Sequence, residues 1–252
     1  MTAKPSAAPE PRDPALLGQT LVVIGGSAGI GLATARYARA EGATVILTGR
    51  DPERLRTAAT EVEALSTAAF DANDPAQLQR FFQELPRPID HVMVTAGHPS
   101  YGRLLDMDSD QARRAISEHM MLALEVARHA AGTVRPGGTL LLLGGTGARR
   151  VRAGLGIAPA ATAALPALTA GLALELAPVR VNLIAAGFVD TPLSARLLGD
   201  GLDARREELR ATLPIGRVVV PADVAALAVH IMTNTALTGA TYDIDGGQQL
   251  VG

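Results

Sequence analysis

The chain has no cysteine and no tryptophan, and among its 23 basic residues Lys4 is the only lysine. Without cysteine, disulfides, thiolate nucleophiles and thiolate metal sites are excluded, and no metal site is expected. With Lys4 alone, lysine catalysis is excluded from the body of the chain. Tyrosine is nearly as scarce: Tyr37, Tyr101 and Tyr242 are the three. Net positive charge is also missing. The balance is −2, and the arginines are scattered rather than gathered in a stripe, which argues against nucleic acid.

Long apolar runs are wanting too. The N-terminal stretch, "MTAKPSAAPEPRDPALL", is proline-rich and has no run of the length a signal peptide needs. Residues 1–15 read as a flexible extension and 16–252 as one domain, and a cytoplasmic location is expected. Ala153 to Leu174 carries no charge but is mostly alanine, glycine and threonine, with Pro159 and Pro166 inside it. Its summed hydrophobicity is weak for a membrane span. A helix rich in small residues, buried or against another subunit, suits it better, with Pro166 kinking or delaying it.

What is present is a repeated alternation of short apolar runs and helix-length segments. "TLVVIGG", "TVILTGR", "STAAF", "IDHVMVTAG", "GGTLLLLGG", "VRVNLIAAG" and "ATYDIDGG" read as strands. Most are continuous apolar runs, as strands buried on both faces are. Between them lie helical segments, one ending at Gly42, one capped by Asp51 with Pro52 in its first turn, and a long one over about 108–131. The pattern predicts an α/β fold: a single doubly wound, Rossmann-like parallel sheet with helices on both faces. "PLSARLLGDGLDARREELRATLPIGR" reads as a mobile, variable segment.

"VVIGGSAGIGLATA" closes the first strand and opens the first helix. Gly25, Gly29 and Gly31 permit the tight turn and let backbone N–H groups and the helix N-terminus approach a pyrophosphate. This segment resembles the glycine motif TGxxxGxG of the short-chain dehydrogenase/reductase family, with Ile24 where the threonine stands. "VTAG" (Val94 to Gly97) is similar to the family's NNAG segment. "VRVNLIAAGFVDTPL" is similar to its VNxxxPGxxxT segment, with Ala186 replacing the proline, and "YDIDGG" is a further signature. The resemblance covers essentially all of the chain after the extension. It implies a nicotinamide dinucleotide held by Gly25, Gly26, Ser27, Ala28, Gly29, Ile30 and Gly31, by Asp71 and Ala72 at the adenine, by Ala96 and Gly97, and by Gly187, Val189 and Thr191. It also implies a homo-dimer or homo-tetramer, to which the uncharged alanine-rich helix and the apolar C-terminal "LVG" would contribute.

The end of the second strand bears on which dinucleotide. An NAD site places an acid there for the ribose 2′-OH. Here Gly49 stands in that place and Arg50 follows, a guanidinium suited to the 2′-phosphate of NADP(H). The ordinary alternative is a solvated arginine at a helix start.

The family's catalytic residues are missing. The resemblance puts Gly145 at the serine, with Gly144 and Thr146 its neighbours, Ala158 at the tyrosine, Thr162 at the lysine and His119 at the asparagine. No shift of alignment restores them, since no tyrosine lies between Tyr101 and Tyr242 and no lysine follows Lys4. His119 is the candidate proton donor, or else bonds only the backbone of a neighbouring strand. His98 and Tyr101 are candidates for the pocket rim, or plain loop residues. Arg149, Arg150 and Arg152 would meet an anionic ligand, or solvent and a subunit contact. Two functions remain open: an NADP(H)-dependent oxidoreductase with a non-standard proton donor, or an inactive dinucleotide-binding, regulatory or scaffold protein.

Overall fold

A computed structural model describes residues 13–97 and 99–251. The N-terminal extension therefore lies outside the described residues up to residue 12. Its last residues are anchored, since the Ala15 N–H donates to Glu41 Oε2 at 2.9 Å and Leu16 is fully buried.

Seven strands form one parallel sheet in the order β3-β2-β1-β4-β5-β6-β7. They are β1 Thr20–Ile24, β2 Thr44–Gly49, β3 Ser66–Ala69, β4 Ile89–Val94, β5 Val134–Gly145, β6 Arg180–Ala186 and β7 Thr241–Ile244. Chain order reverses between β1 and β4, so a crevice opens beyond the carboxyl ends of those two strands. The central strands are buried along nearly their whole length, whereas the edge strand β3 is largely exposed, which is why its sequence lacks the same apolar run.

Helices cover both faces: α1 Gly29–Ala40, α2 Pro52–Glu61, α3 Pro75–Glu84, α4 Ser109–Ile116, α5 Leu122–Ala130, α6 Ala158–Ala163, α7 Leu165–Glu175, α8 Pro192–Leu198, α9 Leu202–Thr212 and α10 Pro221–Thr233. One core packs β-strand residues such as Val22 and Val92 against Phe82 of α3 and Val126 of α5. The other packs Leu21, Val23 and Val45 against Ala35 of α1 and Val224 and Ala228 of α10.

The helix boundaries follow their local chemistry. Gly42 takes φ +87° just past α1, a conformation open to glycine without strain. The Asp51 carboxylate accepts from the N–H groups of Glu53 and Arg54 and starts α2. The alanine-rich helix is two helices, broken at Ala164 with Pro166 in the first turn of α7, because proline has no N–H for an interior turn but suits a helix start. The long helix over 108–131 is α4 and α5 joined by a π-turn, Ser117–Met121. Residues 192–217, expected to be a mobile loop, fold as α8 and α9. Arg206 on α9 grips Asp190 with two 2.8 Å hydrogen bonds and ties that segment to the end of β6.

Candidate cofactor cleft and active site

The loop from β1 to α1 is fastened on two sides. Gly25 and Gly26 both donate to the Thr48 carbonyl of β2, and the Thr95 hydroxyl beyond β4 reaches the carbonyls of Ile24 and Gly25 at 3.2 and 3.0 Å. This packing leaves no room for side chains. A β-carbon on Gly25, which has φ +98°, would lie 2.6 Å from Ala96 N, and one on Gly31 would lie 2.4 Å from Gly25 O. The glycines here are therefore required by close approach as well as by backbone conformation. Ala28 precedes α1 and offers no side-chain cap, and the first turn carries no acid. The N–H groups around Ile30 and Gly31 thus form an uncompensated positive helix end, suited to an anion. Gly29 lies against Thr191: a β-carbon on it would be 3.6 Å from the Thr191 side chain.

A cleft of about 220 Å³ runs from this loop to the end of β3 and includes Ser27, Arg50, Arg54, Asp71 and Arg196. Ala96, Gly97 and Ala72 also line it. One Asp71 oxygen accepts from the Asn73 N–H and side-chain amide, which orients the carboxylate on the cleft lining. Gly49 meets Ser27 across the cleft, where a β-carbon would lie 3.0 Å from Ser27 Oγ. The side chains of Arg50, Arg54 and Arg196 meet no hydrogen-bond or ion-pair partner among the described residues. Sequence reasoning found Arg50 and missed the other two. Arg54 was within reach of it, three residues past the cap Asp51. Arg196 comes from α8, and only the fold brings it over. A larger groove of about 440 Å³ between α1 and α2 shares Ser27, Ala28 and Arg54 with the cleft, but Arg36 and Glu61 on its wall already pair with each other.

At the end of β5 and beyond it lie Gly145, Ala158 and Thr162, the three residues that the sequence reading sets at the family's catalytic positions. Gly145 ends the strand, and a β-carbon on it would sit 3.7 Å from Thr162 Cγ2. Ala158 is the buried first residue of α6, and Thr162 lies one turn on. The Thr162 hydroxyl donates back to its own helix, at the carbonyls of Ala158 (2.9 Å) and Pro159 (3.2 Å). The fold thus brings Gly145, Ala158 and Thr162 together, and the one polar group among them is already engaged.

His119 sits in the π-turn, a helix irregularity common at functional sites. Its Nδ1 lies 2.9 Å from the Ala115 carbonyl of its own helix, not a neighbouring strand. A carbonyl only accepts, so Nδ1 carries the hydrogen, and Nε2 of the neutral ring is an acceptor. His119 can therefore give up a proton at Nε2 only as the imidazolium. Tyr101 is half-exposed on the loop after β4; His98 lies outside the described residues. Arg149 pairs with Asp243 at 2.8 Å, so that guanidinium is not waiting for a ligand. Arg152 has an interaction of its own, and Arg150 is half-buried.

The segment after β6 closes the other side. A β-carbon on Gly187 would lie 2.5 Å from Asp245 Cβ, so Gly187 lets the two loops meet. Gln248, which sequence reasoning missed, accepts from the Phe188 N–H at 2.8 Å. Val189 is buried, and Thr191 caps α8 through a reciprocal pair with Ser194.

Known proteins agree with this architecture. The family model described as enoyl-(acyl carrier protein) reductase matches residues 25–249. The chain is 28% identical to the short-chain dehydrogenase/reductase ATR9 of Stachybotrys chlorohalonatus, over 93% of this chain and 98% of that protein. It is 30% identical to the dehydrogenase/reductase SDR family member 4 of Sus scrofa, over 87% and 83%. Among solved structures, a small-chain dehydrogenase in complex with NADPH superposes with a TM-score of 0.79 at 30% identity, covering 92% of this chain and 99% of that one. The chain belongs to the short-chain dehydrogenase/reductase family of oxidoreductases.

Proposed function

We propose that the protein binds NADP(H) and is an oxidoreductase of this family whose carbonyl-reducing machinery is degenerate. The observation that carries the cofactor reading is the cleft itself: Gly49 leaves no acid for a ribose 2′-OH, and unpaired Arg50 and Arg54 stand beside it. The residues present fit such a ligand. The uncapped N-terminus of α1 suits a pyrophosphate, Asp71 and Ala72 suit an adenine, and Thr191 against Gly29 would close over the phosphates. Two solved relatives, at 30% and 26% identity, are described in complex with NADPH, which supports the same reading.

A bound nicotinamide would supply the hydride. This chain's own part would be to hold the donor and the acceptor together, the proximity component of catalysis. At the far end Gly145 and Ala158 have no hydrogen to donate to a developing alkoxide, and the Thr162 hydroxyl is turned to its helix. His119 is the residue to which proton delivery is assigned. The second reading, a dinucleotide-binding protein without turnover, is favoured by the same engaged hydroxyl. NADPH oxidation against a carbonyl panel, run beside a direct binding titration, separates them. Tight binding with no turnover supports the second reading, and absence of NADPH binding overturns both.

A further inference from the structure

Most arginines of this chain are spoken for. Arg36 pairs with Glu61, Arg149 with Asp243 and Arg217 with Asp223. Arg50, Arg54 and Arg196 have no such partner among the described residues, yet they line one cleft. Arg50 and Arg54 belong to the β2–α2 wall. Arg196 comes from the opposite wall, on α8, more than a hundred residues away in sequence. The two acids in the same cleft, Asp51 and Asp71, form no ion pair with them. Asp51 is committed to the N–H groups of α2, and Asp71 to Asn73. Three guanidiniums against two carboxylates leave this cleft of about 220 Å³ with a net positive charge, which an anionic occupant relieves.

The helix that carries Arg196 is held in place. Thr191 and Ser194 cap α8, Ser194 Oγ donates to the Val189 or the Thr191 carbonyl, and Asp190 is gripped by Arg206 of α9. Its helix start touches the glycine loop through Thr191 and Gly29.

We propose that Arg196 is a phosphate-binding residue of the dinucleotide site, clamping the cofactor from α8 against Arg50 and Arg54. This rests on the reading that the cleft takes NADP(H). The phosphate it meets is either the pyrophosphate, common to both dinucleotides, or the 2′-phosphate of NADP(H) alone. A planar guanidinium fork suits either.

The test titrates the intact protein and its Arg196→Ala variant with NADPH and with NADH, and follows hydrogen exchange of residues 192–212 with and without NADPH. Removing one charge-assisted contact is expected to weaken NADPH binding about ten-fold and to abolish the protection that NADPH confers on 192–212. Loss for both dinucleotides places the contact at the pyrophosphate; loss for NADPH alone places it at the 2′-phosphate. Arg196→Lys, which keeps the charge without the fork, falls between. Arg114→Ala, an exposed arginine of α4 away from the cleft, leaves binding unchanged. Unaltered NADPH affinity in Arg196→Ala, with the intact protein binding normally, overturns the clamp. Failure of the intact protein to bind NADPH overturns the cofactor reading instead.

Discussion

Gly49 and Ser27 face each other across the cofactor cleft, so closely that a β-carbon on Gly49 would stand 3.0 Å from the Ser27 hydroxyl oxygen. An acid at position 49, the arrangement that reads a free ribose 2′-OH, would crowd Ser27, while Arg50 is already beside it. The protein should therefore bind NADPH more tightly than NADH. One charge-assisted contact is worth about 1.5–3 kcal/mol, so Arg50→Ala should weaken NADPH about ten- to hundred-fold and leave NADH little changed. Equal affinity of the unmodified protein for the two dinucleotides would refute this.

Much of this cleft is legible in the sequence, because its chemistry is local. Gly25 to Gly31 must be small where strand turns into helix, and Asp51 with Pro52 announces the start of α2. Arg50 is adjacent to both. Arg196 and Gln248 carry no such signal, since each reaches its place through tertiary packing of a distant segment. The 192–217 stretch looks loop-like with Gly199, Gly201, Pro214 and Gly216 in it, yet α9 is held by the Arg206–Asp190 pair, and no periodicity foretells that contact. Gly145, Ala158 and Thr162, proposed to stand at the catalytic positions, stand out in the sequence only by the groups they lack, and only the fold reveals that Thr162 spends its hydroxyl on its own helix.

Arg180 shows how a buried cation can be held without a carboxylate. Its guanidinium donates to the carbonyls of Ile231, Met232, Asn234 and Leu237, where α10 ends and presents negative partial charge. Burial lowers its pKa from the usual arginine value. Arg180→Met should leave several of these carbonyls unpaired. At about 1–3 kcal/mol for each unsatisfied buried group, a loss of several kcal/mol is expected. Urea unfolding measures it, and a change below about 1 kcal/mol would show that water replaces the guanidinium.

His91 on β4 is almost fully buried, with Nε2 2.7 Å from Gln19 Oε1 and Nδ1 without a partner among the described residues. Burial chiefly, with Arg180 and Arg135 adding to it against the opposing pull of Asp90, lowers its pKa from 6.5 to about 4. The unfolded chain thus binds a proton more readily than the folded one. Stability from this group is full above pH 6.5 and falls as pH drops toward 4, by about 3 kcal/mol across the window. Urea unfolding at pH 7.5 and pH 5 should show the decline, and His91→Gln should flatten it. A variant with the same pH dependence as the unmodified protein would move the effect to other groups.

Leu174 on α7 is 82% exposed and Leu250 near the C-terminus is 80% exposed. Around Leu174 lie Ala170 and Gly171, small enough to let a second helix approach. Apolar side chains so placed favour a partner surface, and closed assemblies of identical chains are the commonest solution. A homo-dimer or homo-tetramer is expected by light scattering at micromolar concentration, weakened by Leu174→Glu. A monomer in the unmodified protein would exclude this.

Carbonyl reduction by the unmodified protein should be slow, well below the enzyme median of ~10 s⁻¹. A developing alkoxide needs a proton, and a positioned general acid contributes about 10²–10⁴-fold. Gly145 and Ala158 have none to give, and the Thr162 hydroxyl faces the carbonyls of Ala158 and Pro159. Any residual turnover should depend on His119, so His119→Ala should abolish it. The backbone leaves room for a side chain at Gly145. A side chain at Gly145 would begin in ordinary contact, 3.6 Å from Ala186 O and 3.7 Å from Thr162 Cγ2. The combined variant Gly145→Ser, Ala158→Tyr, Thr162→Lys should then gain about 10²–10⁴-fold in NADPH-dependent reduction, if its melting temperature shows it folded. All three changes are needed together, because groups that act as a unit do not add. Turnover near the median in the unmodified protein would show that another group already supplies the proton, and the half-exposed Tyr101 would then be the residue to replace.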